Sequence, residues 1–200
     1  MQEKHSLILA SSSVYRKELL SRLQIPFNCQ TPNIDETQRV NETIDALIER
    51  LSTEKATAIA SQNPDAWVIG SDQVADLDGQ AIGKPGTFEK ALAQLEMMQG
   101  KTVVFKTGVC FMHFASKRSM YACIPTQVTF HTLDKQILEN YLHAEKPYDC
   151  AGSAKSEGLG IMLLSKVESQ DPTALIGLPL ITIANFLRLA HFQIPAPLIS

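Results

Sequence analysis

The chain is poor in the residues and patterns that mark several common classes. Among its 200 residues only four are cysteine (Cys29, Cys110, Cys123 and Cys150), with no C-x-x-C pair and no zinc-type spacing. Scattered cysteines in a chain of this size are expected as reduced thiols serving as small core residues. The five histidines (His5, His113, His131, His143 and His191) never pair at helical metal-ligand spacing, and no H-E-x-x-H occurs. No G-x-S-x-G is present, which disfavours a serine hydrolase. Near the start, the apolar run Leu7–Ala10 is too short for a signal-peptide core. No stretch approaches the roughly 20 apolar residues of a membrane helix. The expectation is a cytoplasmic protein without a membrane anchor. Eighteen Lys and Arg against 21 Asp and Glu give a net charge of -3, so no basic face for duplex nucleic acid is implied. There is no internal repeat and no low-complexity linker.

What remains is ordinary globular material, 44% hydrophobic and 20% charged, enough for one large domain or two small lobes around a core. Leu7-Ile8-Leu9-Ala10 reads as a short buried strand, followed by Ser11-Ser12-Ser13 and a helix carrying Val14, Leu19, Leu20 and Leu23 that Pro26 stops. A second helix runs from about Thr43 to Ser61. Trp67–Gly70 is a strand with Ser71-Asp72-Gln73 at or just past its end, and Asp78-Gly79 signals a hairpin turn. A third helix starts near Thr87, buries Phe88, Ala91, Leu92, Leu95 and Met98, and ends at Gly100. Thr102–Phe114 and Tyr121–Leu133 read as long strands around a polar turn at Ser116–Ser119. A helix through Ile137, Leu138, Tyr141 and Leu142 follows, then a strand over Ile161–Val167 and a last helix near Pro179. Early alternation of strands and helices with a long central hairpin favours a mixed α/β sheet.

Several polar residues sit where chemistry would need them. Ser11 and Ser13 precede a helix whose N-terminal N–H groups and dipole suit a phosphate, and Arg16 lies one turn inside. An ordinary serine cap beside a solvated Arg-Lys pair explains the same residues. Lys55 falls on the apolar stripe of its helix, four residues from both Leu51 and Ile59. A lysine there either snorkels past the core edge or reaches an anion. Gly79 to Lys84 fails as a P-loop, with three residues between the glycines and Pro85 after Lys84. Lys84 is a surface turn or a cation aimed at phosphate by Gly83-Lys84-Pro85. Asp35-Glu36 in a polar loop and Asp72 at a strand end are the candidate acids for a divalent metal or an activated water. Gly152–Gly158 is either a mobile surface loop or one that wraps a ligand, with Glu157 accepting from base nitrogens.

Taken together, Leu9–Arg16, Asp35-Glu36, Lys55, Gly70-Ser71-Asp72-Gln73-Val74, Gly83-Lys84-Pro85, Asp149–Gly158 and Asp171–Leu180 occur in the order of one family. The chain resembles the Maf nucleotide pyrophosphatases from about residue 7 to residue 190. The resemblance implies a two-lobed α/β fold over 1–200, with an elongated mixed sheet and a central cleft, similar to the inosine triphosphate pyrophosphatases. It implies hydrolysis of the α–β phosphoanhydride of a nucleoside triphosphate to monophosphate and pyrophosphate, with a divalent cation (Mg, Mn or Co). Asp72 matches the family's general base. Glu36 and Asp72 are the expected metal ligands, and Ser11, Ser13, Arg16, Lys55 and Lys84 the expected phosphate contacts. Tyr15, Gln73 and Glu157 match specificity positions, and Gln73 with the Cys150–Gly158 loop resembles the 7-methyl-GTP branch. The same chemistry on dTTP or UTP, and a non-catalytic regulator of cell division, are the alternatives. No nucleic acid or membrane partner is expected, and a homodimer is left open. The chain departs from the family at Val14, where Pro is usual, and at Tyr15, where this branch often has Trp. Tyr15 still offers an aromatic face to a base.

Overall fold

The computed structural model describes residues 6–195, so His5 lies outside them. Seven strands form one mixed sheet in the order β2-β1-β3-β5-β6-β7, with β4 paired to β3. They are β1 Ser6–Ala10, β2 Asn28–Gln30, β3 Ala66–Leu77, β4 Gln80–Ile82, β5 Thr102–His113, β6 Arg118–Phe130 and β7 Leu164–Ser169. The helices are α1 Val14–Ser21, α2 Ile44–Ala60, α3 Phe88–Met98, α4 Lys135–Glu145 and α5 Leu180–Leu189. Contacts divide the chain into two compact units. Among the described residues, one comprises 6–72, 107–124 and 171–195, the other 73–106 and 125–170.

In the first unit, β1 pairs in parallel with both β2 and β3, Leu9 lying opposite Cys29 on one side and Ile69 on the other. Parallel strands need both faces covered, which is why Leu7–Ala10 and Trp67–Gly70 are continuous apolar runs. The pleat sends alternate residues to opposite layers. Leu7, Leu9, Trp67, Ile69, Val109 and Phe111 pack with Leu19 and Leu20 of α1 and Ile183 and Leu187 of α5. The intervening Ile8, Ala10, Val68 and Cys110 pack with Ala56, Ile59 and Ala60 of α2. Trp67 stacks on Phe111 at 4.5 Å between ring centres.

The α2 layer lies unusually close to the sheet. A Cβ on Gly70 would stand 2.3 Å from the Ser52 carbonyl oxygen and 2.5 Å from the Ala56 nitrogen. One on Gly108 would stand 2.5 Å from the Ile48 side chain and 2.6 Å from Ser52 Oγ. Glycine is therefore required in both strands by the approach of the helix backbone. Ser52 Oγ is buried in this contact without a hydrogen-bond partner.

Helix starts follow the sequence. Ser13, Thr43 and Thr87 are N-caps whose side chains accept from the backbone three residues on. Pro179 precedes α5 as expected. The Asp78-Gly79 turn has φ of 53° and 85°, both positive as a tight two-residue hairpin requires.

The structure departs from expectation in several places. β3 does not end at Gly70 but continues to Leu77, so Asp72 stands within a strand, its pairing prolonged by the β3–β4 hairpin. α1 stops at Ser21, well before Pro26; Gln24 turns the chain at φ 54°. Val14 opens α1 at 62% exposure and is no core residue. The β5–β6 turn lies a few residues earlier, between His113 and Arg118, because the non-glycine Lys117 takes the positive φ. Leu159–Leu163 is a 3-10 turn, and β7 begins only at Leu164. Phe88 and Leu92 are half-buried. All four cysteines are free thiols, but only Cys110 is buried in the core and Cys29 is exposed.

In the second unit, the Gly-rich segment is pinned. The Gly152 N–H donates to the Gly83 carbonyl at 3.4 Å, and Gln94 Nε2 donates to the same oxygen at 3.1 Å. The Tyr141 hydroxyl donates to the Ser153 carbonyl and accepts from the Lys155 N–H at 3.0 Å. Glu145 accepts from Lys155 Nζ and from the Leu159 N–H, each at 2.7 Å. These bonds hold the segment on α3, α4 and the Gly83 turn, so it is not a loose surface loop.

Candidate functional site: a charge cluster on α1, α2 and β3

The first unit gathers four charged side chains. α2 is amphipathic, and Lys55 occupies its buried stripe with only 5% of the residue exposed. The ammonium is compensated on two sides: Nζ donates to Asp72 Oδ1 at 2.6 Å and lies 2.9 Å from Glu36 Oε1. The lysine that the helical pattern makes anomalous has met its anions, and they are carboxylates of the protein itself. The pleat explains how. Ser71 points to the α5 layer and Asp72 to the α2 layer, so Asp72 reaches Lys55 while remaining 8% exposed.

Arg16 belongs to the same field. Burial lowers its pKa, and the nearby charges of Asp72 and then Glu36 push it back up. The guanidinium stays charged. Its Nε donates to the Gly177 carbonyl at 2.9 Å. Ser11 is buried and its Oγ accepts from the Ser13 N–H at 3.1 Å; Ser13 Oγ accepts from the Arg16 N–H at 3.4 Å. Both hydroxyls thus shape the entry to α1. The N–H groups of the first helical turn have no intrahelical acceptor by the geometry of any α-helix, and they carry its positive dipole end.

Glu36 comes from a segment without regular secondary structure, and Arg50 holds it. This residue was not among the sequence candidates. Its guanidinium donates to the carbonyls on either side of Glu36, those of Asp35 at 3.5 Å and Thr37 at 3.0 Å. The same fork bonds both carboxylate oxygens of Glu42, at 2.6 and 2.9 Å, and Glu54 at 3.1 Å. Asp35 does not join the cluster; its carboxylate accepts from the Thr37 N–H and turns the chain. The spacing of Arg50 from Glu54 looks like a solvated i,i+4 pair, so its link to the loop gave no signal in the sequence.

Bonding to Arg50 holds Glu42 down from 4.5 to about 2. A depressed carboxylate stabilises the folded state above its ordinary range and loses that effect as pH falls through the folded value. The clasp is therefore complete above about 4.5 and is lost towards pH 2. Arg50→Gln is expected to return Glu42 to the ordinary glutamate range and to speed amide exchange over residues 35–42. Carboxyl NMR titration and hydrogen exchange check both; an unmoved Glu42 titration would refute the clasp.

Three other candidates lie in the second unit. Gln73 follows Asp72 on β3 and is half-buried, Lys84 is exposed in its turn, and Glu157 is exposed with Ser156 Oγ 3.5 Å from its Oε2. Tyr15, on α1 beside Arg16, is half-buried in the first unit. Cys150 is pushed up to about 12 by burial and by Asp149, so its thiol is no nucleophile at neutral pH.

A divalent cation fits this donor set. Two carboxylates from separate segments already converge on one positive charge, Lys55 Nζ. Among the described residues no group of three or more His, Cys, Asp or Glu forms a ready-made cage. One or two carboxylates, with water and substrate phosphate completing the shell, is the arrangement that hard cations such as Mg²⁺ accept.

On this mixed α/β sheet the first unit brings together a helix N-terminus, an arginine and a carboxylate–ammonium cluster, groups whose chemistry suits a phosphate. The chain belongs to the Maf family: residues 6–190 match the family described as Maf-like protein. It is 57% identical over 187 residues to a 7-methyl-GTP pyrophosphatase of Cupriavidus metallidurans, covering 94% of each chain. It is 54% identical over 189 residues to a protein of the same name from Xanthomonas axonopodis pv. citri, covering 94% of this chain and 98% of that one. A third, from Pseudomonas savastanoi pv. phaseolicola, is 50% identical over 190 residues, 95% of this chain and 99% of that one. A HAM1 protein structure from Coxiella burnetii aligns with a TM-score of 0.41 at 15% identity, over 63% of this chain and 73% of that chain, too slight a likeness to draw on. No helix among the described residues is long and apolar enough to cross a membrane.

Proposed function

We propose that the protein hydrolyses nucleoside triphosphates to monophosphate and pyrophosphate, with 7-methyl-GTP as preferred substrate. The observation that carries the reading is Lys55 clasping Glu36 and Asp72 in the electrostatic reach of Arg16. The relatives' names supply the substrate, and their identity over nearly the whole chain supports carrying it across. The match over residues 6–190 supports reading 1–200 as one functional domain. We infer a cytoplasmic location, in keeping with a nucleotide substrate.

Asp72 accepts the proton of the attacking water at one of its carboxylate oxygens. Lys55 holds that carboxylate in place, its ammonium donating to Asp72 Oδ1 at 2.6 Å. It commits two of its three N–H donors to Glu36 and Asp72 and has a third for a phosphate oxygen. Glu36 and Asp72 would hold a divalent cation (Mg²⁺, Mn²⁺ or Co²⁺), which when bound supplies neutralisation of the phosphate oxygens and a more acidic water. Arg16 and the first turn of α1, with Ser11 and Ser13 shaping it, bind the phosphates, and Lys84 adds a third cationic side chain. Tyr15, Gln73 and Glu157 select the base. A 7-methylguanine ring carries a positive charge and gains from an aromatic face and a carboxylate.

The test is pyrophosphate release from 7-methyl-GTP, GTP, dTTP, UTP and ITP with each cation. Fastest release from 7-methyl-GTP supports chemistry and preference together. Preference for dTTP or UTP keeps the chemistry and refutes the base selection. Inorganic phosphate as sole product, or binding without turnover, refutes the reaction.

A further inference from the structure

We infer that the segment from Asp171 to Thr182 is a positioning element for Arg16, acting through the carbonyl of Gly177. The inference rests on the reading of Arg16 as a phosphate-binding side chain and adds what makes it able to bind.

An arginine offers five N–H donors in a planar fork. Here Nε is bonded to the Gly177 carbonyl at 2.9 Å. With Nε tied back, the four N–H donors of the two terminal amino groups remain for other partners, and they lie in one plane at fixed spacing. That is the geometry of end-on bidentate contact with a phosphate. A long side chain released from Gly177 would lose this orientation and would have to be ordered again at each binding event.

The acceptor is itself unusually well fixed. Gly177 has φ 118°, a conformation that side chains rarely adopt, and a Cβ there would stand 3.5 Å from Arg16 Nε. Ser71 Oγ, on the residue before Asp72, lies 2.8 Å from the Gly108 carbonyl and 3.1 Å from that of Gly177. The same carbonyl thus touches the phosphate arm and the strand that carries the base. Thr107 Oγ1 donates to the Ala174 carbonyl at 2.9 Å. Asp171, only 2% exposed, clamps both ends of the segment. Oδ1 accepts from the Thr173 N–H at 3.1 Å and is 2.7 Å from Thr173 Oγ1. Oδ2 accepts from the N–H groups of Ile181 at 2.8 Å and Thr182 at 3.3 Å. Those two N–H groups belong to the first turn of α5, whose N-cap Pro179 has no capping side chain. Thr173 Oγ1 closes the loop, accepting from the Leu180 N–H at 2.8 Å and lying 2.8 Å from the Leu178 carbonyl.

Two readouts test this. The Arg16 Nε–H resonance, assigned by its loss in Arg16→Lys, should exchange slowly in the parent protein and rapidly in Gly177→Ala. Thr173→Val gives the same comparison without left-handed strain, should the first variant fold poorly. Binding of inorganic pyrophosphate with Mg²⁺, followed by calorimetry, completes a double-mutant cycle. Gly177→Ala should weaken it about tenfold beside Arg16 and less than about twofold beside Lys at position 16, since coupling is expected only between residues in contact. Equal losses in both backgrounds, or slow Nε–H exchange in both loop variants, would overturn the inference. Exchange that follows the loop in a parent protein that binds no pyrophosphate would instead overturn the phosphate reading and leave only an anchored arginine.

Discussion

Replacing Asp72 with Asn is expected to lower the rate of pyrophosphate release by about 10²- to 10⁴-fold, the range in which a positioned general base contributes. The fold should survive, for a stated reason. Asp72 Oδ1 accepts a hydrogen bond from Lys55 Nζ, and an amide oxygen can accept it too. Glu36 also remains on the ammonium, so Lys55 is not left as an uncompensated buried charge. What the amide lacks is the ability to take a proton at neutral pH. The measurement pairs steady-state kinetics with thermal melting and nucleotide binding. Near-normal turnover in a folded Asp72→Asn protein would remove Asp72 from the base role. Lost turnover together with a lost fold would show only that the pair is structural. Replacing Asp72 with Ala answers less, because removing one partner of a buried pair costs about 3–5 kcal/mol by itself.

Gly70→Ala should be the most destabilising single methyl that can be added near the site. The new Cβ would meet backbone atoms of α2 at 2.3 and 2.5 Å, and backbone cannot rotate away as a side chain tip can. Either α2 withdraws from the sheet or β3 bends, and overpacking of this kind costs about 3 kcal/mol. For a chain of this size that corresponds to a fall in melting temperature of roughly 6–12 °C. Activity should fall further than stability accounts for, because α2 carries Lys55 and β3 carries Asp72. Gly83→Ala is the control: nothing lies within 4 Å of that Cβ. Equal melting temperatures for the two variants would mean that the helix–strand approach is looser than these distances require.

The same contact bears on the geometry of the cluster. Ser52 and Ala56 of α2 pass against Gly70 of β3, and Lys55 and Asp72 stand one residue from Ala56 and two from Gly70. A residue with a side chain at position 70 would hold the helix away from the strand, and Nζ would no longer sit 2.6 Å from Oδ1. The glycine of Gly70-Ser71-Asp72 is thus a spacer that sets the distance between Asp72 and Lys55.

Most of the helix boundaries were legible locally. α2 begins after Thr43 and ends before Ser61, because capping and a 3.6-residue apolar stripe are properties of neighbouring residues. The Asp78-Gly79 hairpin was legible for a similar reason, since few residue pairs tolerate two positive φ values in succession. The anomaly of Lys55 could also be read from the stripe alone, as a cation that either snorkels past the core edge or meets an anion, and the structure shows the second. Where the sequence misled, pairing overrode propensity. β3 runs through Ser71-Asp72-Gln73 to Leu77 with β5 as a sheet neighbour and β4 paired to Ala75–Leu77, and no window of β3 itself carries that information.

The sequence by itself determined the alternating elements, the caps, the family resemblance and the list of charged residues that chemistry could use. Only the tertiary structure decided which of them meet. Lys55 and Asp72 are 17 residues apart, and Arg16 and Gly177 are 161 apart. A hydrogen bond over such a separation has no local signature, because it depends on how closely two layers pack and on which side of a strand each residue falls. Asp35 and Glu36 make the point most sharply: they are adjacent and nearly identical in chemistry. One turns the loop and the other reaches the cation, a difference set by Arg50 gripping the backbone on either side of Glu36.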